Sequence, residues 1–111
     1  MERIYYLTML YDFYQDMLTE KQRVFFARYH FDDMSLTEMG TEFGMTPQGA
    51  RDMVHRACKA MEQWEGKLHL LRRHREAQSR VGTIIETIQG INGIGDDIKA
   101  GLVQQIQSLI E

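Results

Sequence analysis

The chain of 111 residues has one cysteine, one proline and no apolar run near the roughly 20 residues of a membrane span. The lone Cys58 excludes an internal disulfide framework. No apolar–polar alternation marks a strand, and no internal repeat is present. The four histidines, His30, His55, His69 and His74, include no pair three or four residues apart, so no metal-ligand spacing exists. Neither a phosphate loop nor a nucleophile motif occurs, and Asp32-Asp33 and Asp96-Asp97 read as caps or turns rather than an acid/base pair. These absences point away from an enzyme, a metal site, a bound cofactor and a membrane protein. Met1-Glu2-Arg3 leads straight into a helical pattern, so no signal peptide is expected, and the single cysteine fits a reducing cytoplasm.

What is present is an ordinary globular composition, 43% hydrophobic and 26% charged, enough for one modest core with an appendage. The net charge of −3 argues mildly against binding a polyanion by bulk electrostatics, but its distribution is uneven. Residues 1–45 carry 4 basic and 8 acidic side chains, residues 46–80 carry 8 and 4, and residues 81–111 carry 1 and 4. The middle segment, with a balance of +4, is either a solvated helix face or a binding stripe.

Helical spacing recurs along the chain. Ile4, Leu7, Leu10 or Tyr11, and Tyr14 form an amphipathic stripe over 2–17. Thr19-Glu20-Lys21-Gln22 is a capping box that opens a second helix to about Tyr29, burying Val24, Phe25 and Ala27 or the stem of Arg28. Ser35-Leu36-Thr37-Glu38 is another such box. Gly44 can take the positive φ that ends the third helix, and Thr46 caps a fourth with Pro47 in its first turn. Ala50, Val54, Ala57, Met61, Trp64, Leu68 and Leu71 then alternate in steps of four and three, a heptad seam. Unbroken to Arg75, that helix would be about 43 Å long, with Gly66 its weak point. A seam of this length exceeds what a small domain covers. Its far part, Met61, Trp64, Leu68 and Leu71, is expected to meet helix one, the tail or a second copy of the chain, and a homodimer is the expectation. The polar run 72–80 marks a boundary, giving a domain over 1–75 and a tail over 76–111. In the tail, Val81, Ile84, Ile85 and Ile88, then Ile98, Leu102, Ile106 and Leu109, flank a glycine-rich turn at 90–95, an αα-hairpin. That turn resembles a helix-hairpin-helix, but Asp96-Asp97 would repel phosphate, and a capped turn is the better reading. Cys58 is expected semi-buried beside the seam, and Met39, Met45, Met53 and Met61 at core positions.

The stretch 35–56, SLTEMGTEFGMTPQGARDMVHR, fits a helix-turn-helix. Counting from Leu36, inward positions fall at Met39, Phe43, Met45, Ala50 and Met53, with Gly40 where the two helices cross and Gly44 at the turn. On the outer face of the second helix, Gln48, Arg51, Asp52 and His55 could meet base edges, Gln48 with adenine and Arg51 with guanine. Thr46, Arg56 and Lys59 are placed for phosphate.

LTEKQR at 18–23, DDMSLTEMGTEFGMT at 32–46, QGARDMVHR at 48–56 and WEGKLHLL at 64–71 resemble the YlxM family, small bacterial proteins linked to the signal recognition particle pathway. The resemblance covers about residues 1–75. It implies an all-α helix-turn-helix bundle like region 4 of sigma-70-type factors; the spacing of apolar residues, not the resemblance, adds the long fourth helix and the C-terminal helical hairpin. It also implies a nucleic-acid-binding regulatory protein whose partner is DNA or structured RNA, signal recognition particle RNA included. The alternative is a protein-interaction adaptor of the signal recognition particle's protein component, with the motif only a scaffold. Where the family usually has serine-arginine-glutamine-alanine-valine, this chain has Thr46-Pro47-Gln48-Gly49-Ala50. Proline replaces the arginine, which moves the expected grip to Arg51, Arg56 and Lys59.

Overall fold

Thr19 and Ser35 open two helices by the same reciprocal bonding. In the computed structural model, which describes residues 2–111, the Thr19 hydroxyl accepts from the Gln22 amide at 3.1 Å and the Gln22 side chain accepts from the Thr19 amide at 3.0 Å. Ser35 and Glu38 repeat the arrangement. The helices are α1 (Arg3–Tyr14), α2 (Glu20–His30), α3 (Leu36–Phe43), α4 (Pro47–Leu68), α5 (Leu70–Gln89) and α6 (Asp96–Gln107), with 3-10 turns at Gln15–Met17 and Ser108–Ile110. No strand occurs among the described residues. Met1, the first residue of the pattern read as lacking a signal peptide, lies outside them. The chain divides into two compact units, Met1–Leu71 and Arg72–Glu111.

The first unit is built around α4, which packs against α1, α2 and α3. Its core joins Leu7, Leu10 and Tyr14 of α1, Phe25 and Phe26 of α2, Met39 of α3, and Ala50, Val54, Ala57, Cys58 and Met61 of α4. Each large side chain buried this way contributes about 1.5–3 kcal/mol. Ile4 does not join them; it is exposed, and the inward stripe of α1 starts at Leu7. In α2 the neighbours Phe25 and Phe26 are fully buried, while Val24, Ala27 and Arg28 are half-buried. Besides α4, the helix touches two others: Phe26 stacks on Tyr11 of α1 at 4.9 Å, while Phe25 meets Phe43 of α3 at 4.6 Å.

Helix α4 does not run unbroken to Arg75. It stops at Leu68, where His69 takes the left-handed conformation (φ 55°), while Gly66, the weak point in the sequence, stays helical. The cause is a carboxylate turned inward. Glu65, only 8% exposed, accepts from the Tyr14 hydroxyl at 2.6 Å and from the Leu71 amide at 3.0 Å. The Tyr14 oxygen accepts from the Leu70 amide at 3.2 Å. The first amides of α5 are thus satisfied by side chains, as a helix start requires. The bend carries Leu71 into the core beside Met61, both fully buried, and Trp64 is half-buried with its ring 6.3 Å from that of Tyr14. Of the four far-seam residues only Leu68 is exposed. The apolar excess behind the homodimer expectation is therefore mostly taken up within one chain.

In the second unit, the polar run 72–80 is helical throughout and belongs to α5, rather than being a break before a helix at Val81. The turn at 90–95 uses Gly93 at φ 86°. Lys99 donates to the Gln89 carbonyl at 3.0 Å across it, and Val81 and Ile88 are the buried residues of α5 in this unit. Asp96 and Asp97 occupy the first turn of α6, where their charge is favourable at the positive end of the helix dipole. None of the described helices is long and apolar enough to cross a membrane.

Candidate nucleic-acid interface

Helices α3 and α4 cross where the side chain is smallest. A Cβ added to Gly40 would lie 2.5 Å from the Met45 carbonyl oxygen and 3.3 Å from the Pro47 nitrogen, a contact with backbone that cannot yield cheaply. The turn is fixed by Gly44 at φ 69° and by the Met45 amide donating to the Gly40 carbonyl at 2.8 Å. Thr46 closes the start of α4, its hydroxyl accepting from the Gly49 amide at 3.0 Å. A Cβ on Gly49 would lie 3.3 Å from that hydroxyl and 3.7 Å from Met45, a tight contact that asks a small shift of the Thr46 side chain. Met39 and Ala50 are fully buried beneath the crossing, and Leu36, Phe43, Met45 and Met53 are half-buried around it.

This packing fixes which side of α4 faces out. All seven residues singled out from the sequence, Thr46, Gln48, Arg51, Asp52, His55, Arg56 and Lys59, are exposed. At about 100° per residue, Arg51 and Arg56 sit about 140° apart around the helix, with His55, Gln48, Lys59 and Asp52 on the arc between them. Three of the seven are engaged: Thr46 as the cap, and Gln48 and Asp52 with each other, Gln48 donating to Asp52 at 3.0 Å. Arg51, Arg56 and Lys59 are in no ion pair among the described residues, whereas Arg28 lies 3.5 Å from Glu42 and Arg3 lies 2.7 Å from Glu62.

Beside this face is a pocket of about 300 Å³ that sequence spacing could not reveal, because it joins the end of α2 to the flank of α4. Arg51 and His55 share it with Tyr29 and His30. Burial lowers the pKa of His30, against a raising contact with the Phe26 carbonyl. Cys58, at the pocket's base, is fully inside, and burial pushes its thiol up to about 11. Among the described residues no group of three His, Cys, Asp or Glu side chains could hold a metal ion.

The family described as "Putative helix-turn-helix protein, YlxM / p13 like" (UPF0122) matches residues 1–100. The chain belongs to this family. It is 33% identical over 109 residues to a UPF0122 protein of Bacillus thuringiensis (strain Al Hakam), covering 98% of each chain. The same identity and coverage hold for UPF0122 proteins of Bacillus cereus (strain 03BB102) and Bacillus anthracis (strain A0248). The UPF0122 match reaches beyond the 1–75 region on which the resemblance rests. It takes in all of α5 and the glycine turn, so these belong to the family pattern and not to an appendage outside it.

Proposed function

We propose that this chain is a non-catalytic, cytoplasmic regulator that lays the outer face of α4 on nucleic acid, DNA or structured RNA. The observation that carries the reading is the placement of Arg51 and Arg56 on opposite flanks of an exposed polar stripe. A helix seated in a groove has a phosphate rim on either side and base edges ahead of it. Cations on both flanks meet both rims, Lys59 adds a third contact, and His55 and the Gln48–Asp52 pair face the floor. The link of the YlxM family to the signal recognition particle makes that particle's RNA the first ligand to try. Affinity should fall steeply with salt, with a log–log slope of about 0.9 per phosphate neutralised on B-form DNA. Arg56→Ala should reduce that slope by roughly one. Gel shifts on signal recognition particle RNA and on promoter DNA across a salt series test this; no retardation of either by folded protein at low salt overturns it.

A second reading is favoured by Pro47, Gly49 and the Gln48–Asp52 hydrogen bond, which together leave the leading turn of α4 poor in free base-reading groups. On that reading the chain is an adaptor for the protein component of the signal recognition particle. Pull-down before and after nuclease treatment separates the two: a partner lost with the nucleic acid returns the assignment to the first.

A further inference from the structure

We propose that the pocket between the end of α2 and the flank of α4 receives one unstacked nucleotide of the bound strand. The inference rests on the nucleic-acid reading of α4 and deepens it, since it commits the ligand to a looped or bulged strand rather than a continuous duplex.

The pocket has the two halves that such a ligand needs. Its floor is apolar and closed, made by the buried Leu7, Val54 and Cys58. Its rim is exposed and cationic or aromatic, made by Arg3, Tyr29, Arg51 and His55. Among the described residues no carboxylate lines it; Glu62 holds Arg3 at 2.7 Å, and Arg51 is in no ion pair. Tyr29 is 39% exposed, and its ring meets that of His30 edge-on, with centroids 5.1 Å apart and planes at 80°. His30 is itself stacked on Phe26 at 4.2 Å. A fixed aromatic ring with an open side is what a base stacks on. At about 300 Å³ the cavity is at the small end for a ligand pocket, room for one heterocycle and its sugar.

Position decides the source of the nucleotide. Arg51 and His55 are one turn apart on α4 and belong both to the pocket rim and to the outer face. A base entering between them leaves its phosphate at Arg51 and its neighbours on the arc toward Lys59 and Arg56. A base stacked in a duplex cannot make that entry, whereas one in a loop or bulge is already unstacked.

The test uses the full chain and two RNA hairpins that differ only by one unpaired nucleotide in the stem, with binding read by fluorescence anisotropy. The bulged hairpin is expected to bind about tenfold tighter, in line with stacking of one base on an aromatic side chain. Tyr29→Ala should abolish that preference and leave affinity for the paired hairpin unchanged, and Tyr29→Phe should keep it. Arg56→Ala should weaken both hairpins equally. Equal affinity of the native chain for the two hairpins overturns the proposal while leaving nucleic-acid binding in place. Loss of both affinities in Tyr29→Ala, with Tyr29→Phe failing to restore the preference, overturns it as well. Absence of binding to either hairpin and to DNA is instead the failure of the underlying reading. Adenosine or uridine monophosphate competing as well as the bulged hairpin would assign the pocket to a free nucleotide and overturn the strand assignment.

Discussion

Helix α3 has eight residues and α6 has twelve, yet the shorter one is the better anchored. Met39 and Gly40 of α3 are buried under the crossing with α4, whereas no residue of α6 is buried. The contrast extends to the whole units. Met1–Leu71 gathers its buried side chains into one contiguous cluster, while Arg72–Glu111 buries Val81 and Ile88 and leaves Ile84, Ile98 and Leu109 exposed. Isolated helices shorter than about 12–15 residues are marginal in water, so packing, not propensity, holds the first unit. Helix α6 relies on local devices: two aspartates at its positive end and the Lys99 contact across the turn.

The largest break in that contrast should come at Glu65. Glu65→Ala leaves the Tyr14 O–H and the Leu71 N–H without their acceptor in a buried site. At about 1–3 kcal/mol for each orphaned group the cost is about 3 kcal/mol. For a unit this size each kcal/mol moves the midpoint by roughly 4–8 °C, so thermal denaturation should show a drop on the order of 15 °C. A drop under about 3 °C would mean that the bend at His69 is held by something else. Gly40→Ala comes next. Its new methyl meets the Met45 carbonyl at 2.5 Å, and forcing α3 away from α4 should cost about 2 kcal/mol and reduce nucleic-acid affinity with it. An Ala variant with native stability would show that the crossing can widen freely.

Two valines allow the same substitution in both units. Val54 is 6% exposed and Val81 is 8% exposed, so the methyl groups lost are equally hidden. Val54→Ala leaves a hole surrounded by the main cluster and should cost about 2 kcal/mol. Val81→Ala leaves one that its sparse neighbours can close, and should cost about 0.5 kcal/mol. Equal costs, measured by chemical denaturation, would show that the tail is packed as tightly as the core.

The same division separates what could be read from the sequence from what could not. Capping boxes, Gly44, Thr46-Pro47 and the small Gly40 were legible because each is a local rule with a fixed spacing. The outward set from Gln48 to Lys59 followed from the register those signals impose. The end of α4 was not legible, since it depends on Glu65 meeting Tyr14 across 51 positions, and a heptad pattern reads straight through it. Phe26 was missed because one-stripe periodicity assumes one partner face, and α2 meets α1, α3 and α4. The pocket at Tyr29 and His30 carries no sequence signal beyond an aromatic next to a histidine at a helix end, a pairing too common to single out.

Tyr14 offers the finest probe of the difference. Burial, and then its hydrogen bond to Glu65, push its pKa from 10 up to about 12. Folding therefore favours the protonated phenol. The contribution is complete below pH 10, where Tyr14 is neutral folded or unfolded, and is lost as pH rises toward 12. All five tyrosines, at positions 5, 6, 11, 14 and 29, fall in the first unit, so phenolate absorbance reports on that unit alone. A pH titration followed by absorbance and circular dichroism should show a late phenolate step coinciding with loss of the first unit's helices. Glu65→Gln removes the charge but keeps an acceptor and leaves Tyr14 buried, so the step should move down yet stay above 10. If every tyrosine of the native chain ionises near 10 with the helices intact, Tyr14 is open to water, and the bend that separates α4 from α5 is not locked in solution.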